Sequence, residues 1–413
     1  MNKKPEVIII GGGAAGFFAA INMAESNPDL KVTILEKSGK VLQKVKVSGG
    51  GRCNVTHACF DPKELIEYYP RGKKELLGPF HTFMTGDTIE WFENKGIPLK
   101  IEDDMRMFPE SNNSQTIIDC FVKSAENAGV SVLLNQNVIK IDKIDSRYTI
   151  ETKHTNFNAD YLVIASGGNA KIWGIIKDLG HHIIAPVPSL FTFNIKDPIL
   201  ENIPGISVPD AHISIEDGLF ESNGPLLITH WGLSGPGILK LSSLAAIHLA
   251  GLNYHFSVKV NWLNIPFSEV LDDLKSQKDK TPKKNVLLKS CYEQISKRLW
   301  SKMVISSNIN SNQNWSDLSN KQLQRLAEQL TETNFKSHGK TTFKEEFVTA
   351  GGVDLKEINF KRFESRLHPN LFFAGEVLNI DGLTGGFNFQ NAWTGAYLAA
   401  KAIANKSSTR EST

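Results

Sequence analysis

Val7-Ile8-Ile9-Ile10 running into Gly11-Gly12-Gly13-Ala14-Ala15-Gly16 is the stretch on which the fold turns. Four β-branched residues in a row, stopped by glycine, predict a parallel strand buried on both faces. A helix over Ala14 to Ala24 follows, then a second strand over Lys31 to Leu35, giving one βαβ unit with a right-handed crossover. The glycines fit G-x-G-x-x-G, and Glu36 stands at the end of the second strand, with Lys37 beside it. Gly11 permits the tight turn, Gly13 lets backbone N–H groups approach a pyrophosphate, and Gly16 allows close helix packing. The helix N-terminus adds partial positive charge. A Glu36 carboxylate accepts hydrogen bonds from a ribose diol and repels a 2′-phosphate, so the expected nucleotide is FAD or NAD rather than NADP.

Further along, Thr116 to Ala128 has helical spacing, Val132 to Ile141 reads as strands, and Lys40 to Val47 reads as a strand-like approach. Tyr161 to Ala165 is another buried-strand run, ending at Ser166-Gly167-Gly168, where the chain can turn close to a ligand. From about Pro186 to Lys340 the texture changes to short strands with Pro and Gly punctuation, followed by a lysine-rich helical part. Glycine-rich turns return after Phe347, then a helix from about Asn391 to Ala404 and a polar tail, Lys406 to Thr413, expected to fray. The expected division is an α/β, Rossmann-like lobe made of 1–188 and 347–413, interrupted by an inserted substrate domain, 189–346, β-rich and then helical.

The chain of 413 residues has a formal charge of only +2, which argues against a protein devoted to nucleic acid or anionic membrane. Four cysteines with no Cys-x-x-Cys pair point to a reducing compartment. Lys3-Lys4 and the apolar run imitate a secretory signal, but the glycines at 11 to 13 interrupt it, so the expected location is cytoplasmic, with no membrane span.

Two more segments carry chemistry. Ser48-Gly49-Gly50-Gly51-Arg52-Cys53-Asn54 exposes consecutive N–H groups that can cradle phosphate, with Arg52 adding a charged donor. Cys53 has no local base and reads as a small buried thiol rather than a nucleophile. Leu371 to Glu376 is an apolar strand running into Gly375 and Glu376. Asp381-Gly382-Leu383-Thr384-Gly385-Gly386-Phe387-Asn388-Phe389-Gln390-Asn391 then makes a glycine turn into a helix. The acids suit a polyol chain, and the helix start, with Asn388 and Asn391, suits negative charge developing on a reduced flavin ring.

These strings resemble those of bacterial three-domain FAD-dependent flavoproteins, a family that includes aminoacetone oxidase and a bile-acid-type enone reductase. The resemblance spans nearly the whole chain. It also rests on Thr229-His230-Trp231-Gly232-Leu233-Ser234-Gly235-Pro236 and Thr349-Ala350-Gly351-Gly352-Val353. It implies a glutathione-reductase-like FAD lobe lined by all of these segments except Thr229 to Pro236, a backbone contact from Val138 to adenine, and a ligand-facing Lys44. Lys46 departs from the apolar residue that many relatives carry.

No second nucleotide fingerprint is evident, since Gly232 to Gly237 has the wrong spacing and a proline where a phosphate cradle needs an N–H. NAD(P)H therefore visits the flavin transiently, or the substrate is the reductant and oxygen the acceptor. His230 and Arg106 are the candidate acid/base and orienting groups. Between Lys275 and Lys302, nine Lys/Arg stand against two acids, a local charge of +7. A solvated helical face outweighs an RNA-binding arm there, because aromatic residues are sparse. The expected activity is FAD-dependent hydride transfer at flavin N5 with a small organic substrate, either enone reduction using NAD(P)H or amine oxidation using oxygen. The alternatives are a flavin-dependent tRNA-modifying enzyme and a flavin-binding regulator. The sequence does not set an oligomeric state.

Overall fold

The computed structural model describes residues 4–215, 218–341 and 348–410. Contacts divide the chain into two units, Met1–Val187 with Lys344–Thr413, and Pro188–Phe343.

The first unit is built on a seven-stranded sheet. Its order is Ile358–Asn359, Glu364–Ser365, Leu371–Phe373, Tyr161–Ile164, β1 (Glu6–Ile10), β2 (Lys31–Leu35) and Ser131–Leu133. β1 runs parallel to both neighbours, with Val7 opposite Tyr161 on one side and Val32 on the other. Because strand order reverses at β1, a crevice opens beyond the carboxyl ends of these strands, the usual ligand position in such sheets. The helix α1 (Ala14–Ser26) is buried from Ala15 through Ala24 and packs against the C-terminal helix Phe387–Arg410. Helices apolar on all sides belong in a core. Gly16 lets α1 lie close to the end of β1, since a Cβ there would lie 2.0 Å from the Gly11 carbonyl oxygen.

Two sequence expectations need correction. The stretch read as strand-like, Lys40 to Val47, is the beginning of a helix, α2 (Gln43–Gly51). The Val/Lys alternation suggested a period of two. However, Leu42 and Val45, three apart, are the residues that go inward, while Lys44 and Lys46 stay exposed. The tail expected to fray from Lys406 continues as helix to Arg410. Ser407 is buried, and its Oγ accepts from Asn27 Nδ2 at 2.8 Å, which ties the last turns to the end of α1.

The second unit contains a closed six-stranded barrel ordered Thr192–Ile195, Gly232–Ser234, Phe220–Ile228, Ser207–Ile215, His255–Asn261 and Thr333–Thr341. Thr333–Thr341 follows three helices (Phe267–Lys280, Lys297–Ser306, Asn320–Thr331) and closes the barrel by pairing with both Thr192–Ile195 and His255–Asn261. The sequence reading placed strands first and helices last. It missed this returning strand, whose inward Thr333, Phe335 and Ser337 alternate with exposed polar residues. Among the described residues, no helix is long and apolar enough to cross a membrane.

Candidate functional site

The site in the first unit is assembled from the carboxyl end of the sheet. Gly11, Glu36, Lys37, Val138 and Ser166 line one cleft, together with Gln136 and Asn169. Glu36 is held open for a ligand by its own neighbours. Its Oε2 accepts the Gly12 N–H at 2.8 Å, and its Oε1 accepts the Ser38 N–H and Oγ–H, each at 2.8 Å. Oε2, with one bond, keeps an acceptor site open, which suits a ribose hydroxyl. Gly13 is the N-cap of α1, and a Cβ built there meets nothing within 4 Å. Gly11, by contrast, has positive φ, and a Cβ there would strike the Ala165 carbonyl oxygen at 2.4 Å. One glycine of the motif is thus fixed by packing, and another borders open space at the positive end of a helix. Ala14 and Ala15 complete that first turn, and Gly375 brings the third segment close, its Cβ position lying 3.2 Å from Ala15 Cβ.

A second group surrounds Glu376. Its carboxylate accepts from Thr349 N at 2.9 Å and pairs with Lys44 Nζ. Gly167, with φ of +61°, approaches the same carboxylate, and a Cβ on Gly168 would press on Thr349 Oγ1. Ser48 to Asn54, the expected phosphate cradle, spans the kinked end of α2 and the turn after it. Ser48, Gly49 and Gly50 leave helical geometry inside α2, and Gly49 could not carry a Cβ without lying 2.9 Å from Asn54 N. Arg52 is not free for a phosphate. Glu102 takes its guanidinium at 2.6 and 3.4 Å, and the fork lies 3.9 Å over the Phe108 ring. Cys53 is fully buried, and burial pushes its thiol up to about 12, so no thiolate is available near neutral pH.

The third segment packs on the first. The Gly385-Gly386 turn leads into the C-terminal helix, and a Cβ on Gly386 would collide with the Thr56 backbone at 2.6 Å. Oriented by its neighbours, the Asn54 amide donates to the carbonyls of Thr56 and Met107 and accepts the Gly386 N–H at 2.9 Å. Asn388 clamps Gly382 through both its N–H and its carbonyl, 2.8 Å each. Asp381 is wholly buried and ion-paired with Arg71, which places it behind the turn rather than open to a polyol. Two buried polar atoms here have no hydrogen-bond partner among the described residues, Asn391 Oδ1 and His57 Nδ1. An orphaned buried acceptor is costly unless a ligand or water satisfies it. The open Gly13 cradle, the acidic diol acceptor and these orphans fit a dinucleotide with a hydrogen-bonding ring at its far end.

The other two predicted residues fall in different units. Arg106 is bound to Asp104 at 2.7 Å and to Glu102 at 3.8 Å. His230 belongs to the second unit, where it and Trp231 are exposed at the turn between two barrel strands. Sequence reasoning missed His57 entirely. It lies in a two-residue strand, Thr56–His57, that carries no motif.

A model of the HI0933-like protein Rossmann domain matches residues 5–402. The chain is 30% identical over 424 residues to the ribosomal RNA dihydrouridine synthase of Escherichia coli (strain K12), with 98% of this chain and 100% of that one covered. It is 27% identical to the 3-dehydro-bile acid delta(4,6)-reductase of Clostridium scindens, covering 96% and 98%. Its fold resembles that of the 3-ketosteroid-delta4-(5alpha)-dehydrogenase of Rhodococcus jostii RHA1, with a TM-score of 0.50 at 12% identity over 98% of both chains.

Proposed function

Because the chain belongs to the HI0933-like protein Rossmann domain family and is an FAD-dependent oxidoreductase, we propose that it reduces carbon–carbon double bonds conjugated to a carbonyl, with NAD(P)H as a visiting reductant. The observation that supports this reading is the Gly13 cradle beside Glu36, whose open space and acceptor fit a dinucleotide, in the same unit as a glycine turn at a helix N-terminus. Bound FAD supplies hydride transfer at N5, and the protein supplies binding and orientation. Glu36 would hold the adenosine ribose, and the N-terminus of α1 the pyrophosphate. The start of the C-terminal helix would face the ring edge on which negative charge develops. The two relatives are named for making dihydrouridine and for reducing delta(4,6) bonds. In chemical terms, both saturate an alkene activated by a neighbouring carbonyl, which accepts hydride at its far carbon and a proton at the near one.

A second reading makes that alkene a uracil ring within RNA. It is favoured by the segment Lys275 to Lys302, in which seven of the nine cations are exposed. Phosphate contacts of that kind give salt-dependent binding.

Anaerobic mixing of the flavin-loaded protein with NADPH or NADH should bleach the flavin. Addition of a conjugated enone, or of an unmodified ribosomal RNA transcript, should restore its colour with gain of two hydrogens in the product. Bleaching by an amine, and by neither nicotinamide, would overturn the reductase reading in favour of an oxidase.

A further inference from the structure

We propose that His57 takes up a second proton when the bound flavin is reduced, acting as a charge-compensating contact of the cofactor. The inference rests on the reading that the Gly385-Gly386 turn meets the flavin ring.

The placement of His57 is unusual for a strand residue. The Thr56–His57 strand is pressed directly against the turn. A Cβ on Gly386 would fall 2.6 Å from the Thr56 backbone, and one on Gly385 would fall 3.4 Å from His57 Cδ2. The imidazole stacks on Phe387, the first residue of the C-terminal helix, with ring centroids 4.6 Å apart, and Tyr68 completes the cluster, 4.2 Å from Phe387 and 5.4 Å from His57. A ring so fixed cannot swing away, yet its Nδ1 is buried without a hydrogen-bond partner among the described residues. Such an atom is either a waste of stability or a place for a ligand atom.

The charges around it favour the same use. Burial pushes the pKa of His57 down, with the Asp104 carboxylate pulling against it, so the ring is neutral while the flavin is oxidised. Across the strand pair His57 faces Arg106, and Arg106 is bound by Asp104 and Glu102, which also binds Arg52. Two guanidinium groups and two carboxylates cancel, and burial holds the Tyr68 phenol protonated. Of these groups His57, an imidazole whose ordinary range lies nearest neutrality, is left as the one that can take up a proton.

The balance is simple. NAD(P)H gives a hydride, two electrons and one proton, to N5 and leaves as NAD(P)+. Net negative charge remains on the ring edge, and a solvent proton is captured at His57 to offset it. Reoxidation by substrate returns both the hydride and that proton.

The test is the midpoint potential of the flavin-loaded protein as a function of pH. Each proton taken up with an electron pair changes the equilibrium tenfold per pH unit, about 30 mV for a two-electron couple. Between the His57 pKa of the oxidised protein and the higher one of the reduced protein, the potential should fall by about 59 mV per pH unit, and in His57→Gln it should fall half as steeply, about 30 mV. Asp104→Asn alters an exposed carboxylate. Removing its upward pull should move the break between the two slopes to lower pH. Equal slopes in wild type and His57→Gln, or an unmoved break in Asp104→Asn, would overturn the inference. A protein that retains no flavin would instead sink the cofactor reading itself, so the two failures are distinguishable.

Discussion

Placing one methyl group on Gly13 and, separately, on Gly16 should divide cofactor affinity from fold stability within a single motif. At Gly16 the added Cβ would lie 2.0 Å from the Gly11 carbonyl oxygen, which is backbone and cannot rotate away. Real carbon–oxygen contacts begin near 3 Å, so α1 must retreat by roughly an ångström from the end of β1, an overpacking that costs about 1–3 kcal/mol. The melting temperature of Gly16→Ala should fall by about 2–4 °C for each of those kcal/mol. Gly13, with φ of −96° and ψ of −167°, has a backbone that alanine adopts freely, and its Cβ meets no protein atom within 4 Å. Gly13→Ala should therefore cost at most about 1 kcal/mol, from the poorer N-cap. The methyl would nonetheless occupy the space through which N–H groups approach the pyrophosphate. Loss of one hydrogen bond to a charged group, about 1.5–3 kcal/mol, weakens FAD binding roughly ten- to hundredfold. Differential scanning of apoprotein and fluorescence titration with FAD measure the two effects. Wild-type FAD affinity in Gly13→Ala, or an unchanged melting temperature in Gly16→Ala, would refute the reasoning.

Three further outcomes follow from the same geometry. Glu36→Gln keeps an oxygen for the Gly12 N–H but loses charge and an acceptor; FAD affinity should drop about tenfold, with little change in melting, as the same titration would show. His181 is fully buried between Glu357 at 2.7 Å and Ser365 Oγ at 3.0 Å, and burial pushes its pKa below the usual 6.5. The unfolded chain therefore binds more protons just below that pH. The contribution of His181 to stability is complete above about 6.5 and is lost as pH falls toward its folded value. His181→Asn should flatten the fall in melting temperature between neutral pH and pH 5, and a profile parallel to wild type would count against this. All four thiols are pushed up by burial, Cys53 and Cys291 to about 12, so a thiol reagent at pH 8 should label the native protein far more slowly than the unfolded chain.

The strand–glycine–helix start and Glu36 were legible because the relevant chemistry is local. A tight turn, a close approach and an acid at the next strand end are written in consecutive residues. The partners that restrain the site were not legible, because they come from far along the chain. Arg52 looks like a phosphate ligand in isolation, but Glu102, fifty residues on, occupies its guanidinium. Asp381 looks like a polyol ligand until Arg71 folds over it. His57 carries no local signal, since its importance comes from a glycine turn more than three hundred residues away. The helical start of α2 was misread because Val41, Val45 and Val47 alternate with lysines and so imitate a strand. In the second unit, the closing strand Thr333–Thr341 was hidden by the helices that precede it, since sequence order gives no sign of which strands a returning segment will join.

The most direct check on this account is the ultraviolet–visible spectrum of the natively purified protein, followed by release and identification of its chromophore. The account predicts a yellow protein that releases one FAD per chain on denaturation and takes FAD up again after it is stripped. A colourless protein that FAD cannot reconstitute would contradict it.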